Sequence, residues 1–440
     1  QRWRRWAYWA VCCALLALDL SVRAYHLETA PPHNECGDEY TWTWSGMTLL
    51  QNGKPKGWSG LRAYRSRARN VGWRGHGYPM VEPWLDHPPL YALYVGSWML
   101  ASGERRIFHV DLHQMRLSSL VLAAVSFSLL GAVLGELTTP GGALLGLLFY
   151  AVAPAIVLHQ RMVLSENLFV PITLACVLLL ARQRRAFAWW RWFAIAGLAA
   201  LLPMTKVAAL SVSVFLVMWA MLTSPPYKRL LSGSAVALGT CIGVAAYWLY
   251  GHWLDAALFS EVLANHRARF KGFGGLFAFL ARPRLVNTET PDLLLVLSTL
   301  LALGGLAERP LKIWGLAVLV YIACMTFFVD QGHVYGWYFI PLYPWLCAAL
   351  GATIARASRE RHLGLSLLWC SVAAVIMVSC ASDHQLWGRS ELRFAYLALL
   401  LTVFGAWIAW PRIANATLPA INGLCVAGVV AVCLFEVYLR

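Results

Sequence analysis

Apolar runs of near 20 residues recur from one end of this chain to the other, and each is long enough to cross a bilayer. No soluble core needs that many such runs. Of the 440 residues, 59% are hydrophobic and 13% are charged, against about 25% charged in a soluble domain. The chain is therefore expected to be an all-α polytopic membrane protein. The formal net charge of +15 does not point to nucleic acid. The arginines cluster in short connections between apolar runs, as the positive-inside rule requires, and no basic stripe interleaved with aromatics stands on a soluble domain.

Arginine placement also gives the topology. Arg2, Arg4 and Arg5 precede the run 6–27 and keep the N-terminus cytoplasmic, so the next loop, 28–113, is outside. The first run has no small-residue cleavage site after it and reads as an anchor. Asp19 and Arg23 fall near its outer end, within reach of the interface. Carrying the alternation through the basic connections at 182–185, 225–229, 308–312 and 356–361 yields about thirteen spans. A second large outer loop is expected at 251–291. Ten of the eleven cysteines lie in apolar runs and only Cys36 in an outer loop, so no disulfide framework is implied.

The same alternation places Asp38, Glu39, His87, Arg161, Glu166, Lys206, His266, Arg269, His333 and Tyr338 on the outer side. Ionisable groups gathered at one membrane face suggest one site assembled from many loops. Each has a plainer reading. Asp38 and Glu39, about 100° apart if helical, could simply favour a helix N-terminus. Pro88 and Pro89 hold His87 extended, beside a ligand or in a structural turn. Arg161 and Glu166 share a short turn and could form a surface ion pair. Lys206 could meet a phosphate or snorkel to the interface. His266-Arg267-Ala268-Arg269 could bind an anion or touch lipid headgroups. His266 with the acids could hold a divalent metal, though the spacing is not diagnostic. Tyr335 and Tyr338 belong to an interfacial aromatic belt or stack on a sugar. The run 90–100 is too short to span and reads as an interfacial helix. No nucleotide-binding loop or Gly-x-Ser-x-Gly elbow is present.

Taken in order, these pieces form a pattern. They are Asp38-Glu39, His87-Pro88-Pro89-Leu90, Arg116-Leu117-Ser118, Arg161 with Ser165-Glu166, Thr205-Lys206, His266-x-x-Arg269-Phe270, and Tyr338-x-x-Pro341-Leu342-Tyr343-Pro344. The set resembles the GT-C glycosyltransferases of the protein O-mannosyltransferase type, and especially the bacterial branch that includes the lipid A aminoarabinose transferase. The resemblance implies a single GT-C transmembrane domain over 1–440, with catalytic outer loops and interfacial helices. It implies transfer of a sugar from a polyprenyl-phosphate donor to a hydroxyl of a lipid, glycan or protein acceptor, with inversion. The site would face the periplasm from a bacterial inner membrane.

Within that resemblance Asp38 takes the role of base, with Glu39 and Glu166 as companion acids. Lys206, Arg269 and Arg161 fall to the donor phosphate. His87, His333, Tyr335 and Tyr338 fall to substrate, and His266 to a metal. Two departures stand out: a longer, more basic stretch at 54–82, and Gly336-Trp337 where an Arg-like position often precedes the Tyr. The rival class is a transporter or flippase for a lipid-linked anion. Transporters tend to carry internal repeats and polar groups near the midplane, and here the ionisable groups gather at one face.

Overall fold

The computed structural model describes residues 2–33, 35–185, 188–268, 293–307, 311–328, 335–383, 405 and 411–439. Helix α1 (Arg2–Ala24) leads to α2 (Asp38–Asn52), which is buried from Glu39 to Thr48. A small sheet follows, of β1 (Gly57–Trp58), β2 (Arg69–Trp73) and β3 (His76–Val81). Then come α3 (Leu90–Ala101), α4 (Leu112–Leu137), α5 (Pro140–Val152), α6 (Pro154–Arg161), α7 (Glu166–Arg185), α8 (Trp190–Thr205), α9 (Leu210–Thr223) and α10 (Pro226–Arg267). The last group is α11 (Leu293–Gly304), α12 (Lys312–Phe328), α13 (Tyr343–Glu360), α14 (Leu363–Asp383) and α15 (Pro411–Leu439), with a 3-10 turn at Gly336–Leu342 before α13.

The helical membrane architecture is as the apolar runs require. Among the described residues six helices are long and apolar enough to span, or seven if the bent pair α5–α6 counts as one. The expected thirteen is not reproduced. Shorter apolar helices, among them Val207–Thr223, fall below the length of a full crossing. The run 143–158, expected as one span, is broken at Ala153 and bends by 56°. Pro154 opens α6, where its missing N–H is tolerated.

That break explains Asp19 and Arg23, which are fully buried rather than at the interface. Arg23 donates to the Tyr150 and Ala151 carbonyls at 3.1 and 3.2 Å, and to Gln160 at 2.8 Å, while Asp19 pairs with it. Carbonyls that a broken helix leaves bare must be met inside the protein. Here a guanidinium one helix away meets them.

The segment between α1 and α4 is a folded unit. Its sheet has the order β1-β3-β2, all antiparallel. Arg74 and Gly75 join β2 to β3 with φ of 48° and 80°, the two positive values that a tight two-residue hairpin demands. Sequence patterning missed this sheet because β2 is exposed or half-exposed at every residue, so no alternation marks it. Its aromatic residues pack on α2: Trp73 lies 4.6 Å from Tyr40 and 5.2 Å from Trp44, and Tyr78 lies 5.4 Å from Trp44. The arginines at 62, 65, 67, 69 and 74 remain exposed.

Of the expected loop 251–291, residues 251–267 are helical. The chain between Gly251 and Arg267 carries no proline and stays helical as the end of α10. Only Asp255 departs, with φ −166° and ψ 97°. Its carboxylate accepts from Leu258 N at 3.0 Å, capping the second segment as a helix start requires. Residues 269–292 lie outside the described residues.

Helices approach closely where side chains are smallest. A Cβ on Gly239 or Gly243 of α10 would meet the Ala196 or Ala200 carbonyl of α8 at 2.1 or 2.0 Å. This is the small-residue spacing that lets membrane helices touch backbone to backbone.

Candidate active site

Three helix ends and one turn build the site. Asp38 and Glu39 open α2, Glu166 opens α7, and Lys206 follows the last residue of α8. Each charge has the sign its helix end favours, acids at N-termini and a cation at a C-terminus. Tyr338 comes from the 3-10 turn before α13.

Lys206 Nζ donates to Glu166 Oε1 at 2.6 Å and lies 4.8 Å above the centre of the Tyr338 ring. Ser165 Oγ donates to the other carboxylate oxygen, Oε2, at 3.1 Å. Both Lys206 and Glu166 are buried. Burial works against the ammonium charge. The attraction of Glu166, Tyr338 and Asp38, with the Glu166 hydrogen bond, outweighs it and holds the Lys206 pKa above the usual lysine value. Lys206 is therefore a charged group at any physiological pH. Tyr321, on α12, donates to the Tyr338 carbonyl at 2.8 Å and fixes the turn beneath the lysine. Tyr335 stacks on Trp337 at 4.5 Å and 9°, with Tyr338 at 6.2 Å.

Asp38 and Glu39 diverge as helical neighbours must. Glu39 is fully buried and takes both oxygens to Arg116, at 3.1 and 2.8 Å, with Val163 N donating at 3.0 Å. Asp38 is half-buried and adds to the field at Lys206. One turn along α2, on the Asp38 face, Trp42 stacks on His87 at 5.0 Å and 18°. His87 lies 6.0 Å from His266, whose Nε2 is 3.0 Å from the Asp86 carbonyl. Ser59 Oγ donates to Asp86 Oδ2 at 2.6 Å. Burial, followed by the Asp86 carboxylate, pushes the Tyr64 phenol above its usual range, so it stays protonated beside that acid.

The residues singled out from sequence thus fall into groups. Asp38, Glu166, Lys206 and Tyr338 come together. His87 and His266 meet beside them on the Asp38 face of α2. Arg161 does not pair with Glu166. It is buried, and its guanidinium donates to the Ala30 and Val22 carbonyls at 3.1 and 2.8 Å. Arg269 and His333 lie outside the described residues. Around His266 no group of three His, Cys, Asp or Glu side chains gathers among the described residues. Sequence reasoning missed Tyr321 and gave Arg116 no role. The cost of an arginine near bilayer depth without a partner was the available signal for Arg116.

Residues 86–252 match the sequence model of the family described as dolichyl-phosphate-mannose-protein mannosyltransferase. No curated protein sequence matches the chain. Among solved structures, the apo form of ArnT from Cupriavidus metallidurans superposes with a TM-score of 0.60 at 13% identity, over 99% of this chain and 78% of that chain. ArnT from the same organism bound to undecaprenyl phosphate gives 0.57 at 12% identity, over 98% and 77%. Identities this low speak for the fold alone, and the matched family segment runs from Asp86 through Glu166 and Lys206 into α10. Fold and family segment agree: the chain has the fold of ArnT, and its residues 86–252 match a mannosyltransferase family.

Proposed function

We propose that the protein transfers a sugar from a polyprenyl-phosphate carrier to an acceptor hydroxyl at the extracytoplasmic face. The observation that carries this reading is the buried Lys206 ammonium, braced by Glu166 and Tyr338 within the field of Asp38. An ammonium held charged and buried at the end of an apolar helix is a group that can offset a lipid phosphate, the anion a membrane enzyme of this fold would bring to it. The ArnT structure with undecaprenyl phosphate supports that donor class.

In this reading Asp38 takes the proton of the acceptor hydroxyl. The oxygen attacks the anomeric carbon, the bond from that carbon to the phosphate oxygen breaks, and the lipid phosphate leaves with the electron pair. In-line displacement inverts the anomeric centre. General-base assistance of this kind is worth about 10²- to 10⁴-fold. Lys206 offsets charge growing on the departing phosphate. Because Glu166 and Asp38 stand against one lysine, a second cation is needed. His266, in the last turn of α10, lies on the Asp86 carbonyl beside His87. In this reading Arg269 takes the second-cation role, as the family pattern implies, while the Arg161 Nη1 and Nη2 groups donate to the Ala30 and Val22 carbonyls.

The test is Asp38→Asn in the full chain. Elution in detergent should be unchanged, and transfer from labelled lipid-linked sugars should fall by about 10²-fold or more. Full activity in that variant removes Asp38 as the base. Flux of the labelled lipid in proteoliposomes, with no covalent product, would instead make the protein a transporter.

A further inference from the structure

A cavity with charged residues in its lining opens at the other end of α2. It measures about 410 Å³ and is lined by Lys56, Arg105, Arg106 and His109, with Gln51 and the single acid Glu82. At neutral pH its formal charge is about +2 from Lys56, Arg105, Arg106 and Glu82, three cations against one carboxylate. Lys56, Arg106 and Glu82 each lie outside any ion pair among the described residues. The cavity is a built one. Gly53 ends α2 in the left-handed conformation, and the chain folds back so that Lys56 N donates to Thr48 Oγ1 at 2.7 Å. Across the gap, Gln51 Nε2 donates to the Arg105 carbonyl at 3.2 Å, and Arg105 Nη1 to the Leu100 carbonyl at 2.9 Å. These bonds hold the backbone of the cationic residues together while the Lys56 ammonium and the Arg106 guanidinium remain for a ligand. Like charges gathered at one pocket repel one another, and an anion removes that penalty.

We propose that this cavity is an anion subsite that takes a phosphate-class group. It is separate from the Lys206 centre, standing about 15–20 Å from Asp38 by the 1.5 Å rise per residue of α2. Guanidinium and ammonium groups on two sides of a cavity suit the several oxygens of a phosphate. The group could be presented by a lipid headgroup or by a soluble phosphate, and the two sources are separable by experiment.

Full-length protein in detergent is offered phosphatidylglycerol or phosphatidylcholine, with adducts counted by native mass spectrometry. In parallel, inorganic phosphate is titrated while thermal unfolding is followed. The comparison is wild type, the Lys56→Gln/Arg106→Gln double variant, and Arg69→Gln as a control on exposed β2. Arg106 is exposed and Lys56 half-buried, and neither is in an ion pair among the described residues, so the double variant should unfold near the wild-type temperature in buffer alone. Binding should weaken about tenfold or more in the double variant, the loss expected for charge-assisted contacts, and persist in the control. Selective retention of phosphatidylglycerol names a headgroup as the source. A response to inorganic phosphate alone names a soluble one. The proposal is overturned if neither probe is held in a manner that depends on Lys56 and Arg106.

Discussion

The Lys206 ammonium and the Glu166 carboxylate are 2.6 Å apart, in a setting where neither has more than a trace of solvent. A buried pair of this kind is weak support for stability as a pair but costly to halve. Glu166→Ala is therefore expected to destabilise the protein by about 3–5 kcal/mol, because it strands an ammonium. The Lys206→Met/Glu166→Leu double variant should regain most of that loss in folding and none of it in transfer. Thermal unfolding in detergent, set beside transfer from a lipid-linked donor, checks both halves.

The same pair predicts a pH response. Its lysine has a folded pKa above the ordinary value. Its stabilising contribution is then complete below the unfolded pKa of about 10.4 and fades only as pH rises through the higher folded value. Wild type and the Lys206→Met/Glu166→Leu variant should differ in unfolding temperature by a constant amount from mildly acidic to mildly alkaline pH. A step in that difference near neutrality would contradict the assignment.

Glu39 and Asp38 are adjacent in sequence and opposite in consequence. Glu39 receives three N–H groups, two from Arg116 and one from Val163, and ties α2 to α4 and to the turn before α7. Glu39→Gln should lower the unfolding temperature while the folded fraction keeps most of its turnover. Asp38→Asn should do the reverse. Arg116→Lys should resemble Glu39→Gln, since lysine cannot supply the two-pronged contact. Measuring kcat per folded molecule alongside unfolding separates the two roles.

What could be read from sequence follows from cost. Lys206 and Glu166 were legible because ionisable groups at the ends of apolar runs demand partners. The pairing itself was not legible: Arg161 lies closer to Glu166 in sequence, yet Lys206, forty residues away, is the partner. The broken helix at Pro154 was visible in principle, since proline within an apolar run opens or breaks a helix, and its carbonyls needed Arg23. The sheet at 57–81 was illegible because its strands are short and β2 is exposed along its length. The extension of α10 to Arg267 was hidden by polar residues that suggested a loop. Helical continuity there depends on packing, with Leu258, Phe259 and Val262 buried, which local polarity does not report.

Gly46 of α2 and Gly96 of α3 bring two backbones into contact. A Cβ on Gly46 would stand 1.7 Å from the Ala92 carbonyl oxygen, and one on Gly96 would stand 2.3 Å from the Gly46 carbonyl carbon. The obstruction is backbone, which cannot rotate away. Gly46→Ala should therefore cost at least the 1–3 kcal/mol typical of an overpacked core, roughly, and displace α3 with the His87 turn that precedes it. Gly60→Ala, with open space around it, is the matched control and should unfold with wild type. Equal unfolding temperatures for the two variants would mean that the α2–α3 contact is looser than described.

Arg67 of the basic stretch and Asp255 at the α10 kink form an ion pair at 2.5 Å, with side chains 43% and 24% exposed. At that exposure the pair is worth about 0–1 kcal/mol and is screened by salt. Arg67→Ala should leave global unfolding unchanged within about 1 kcal/mol. Its effect should instead be local, because the pair joins the sheet unit at 57–81 to α10. Trypsin should cut within 62–74 faster in Arg67→Ala than in wild type at low salt, and raising the salt should bring wild type towards the variant. The arginines at 62, 65, 69 and 74 offer sites that report that opening. Identical cleavage of the two proteins at low salt would show that the aromatic packing of Trp73 and Tyr78 on α2 holds the sheet without help from Arg67.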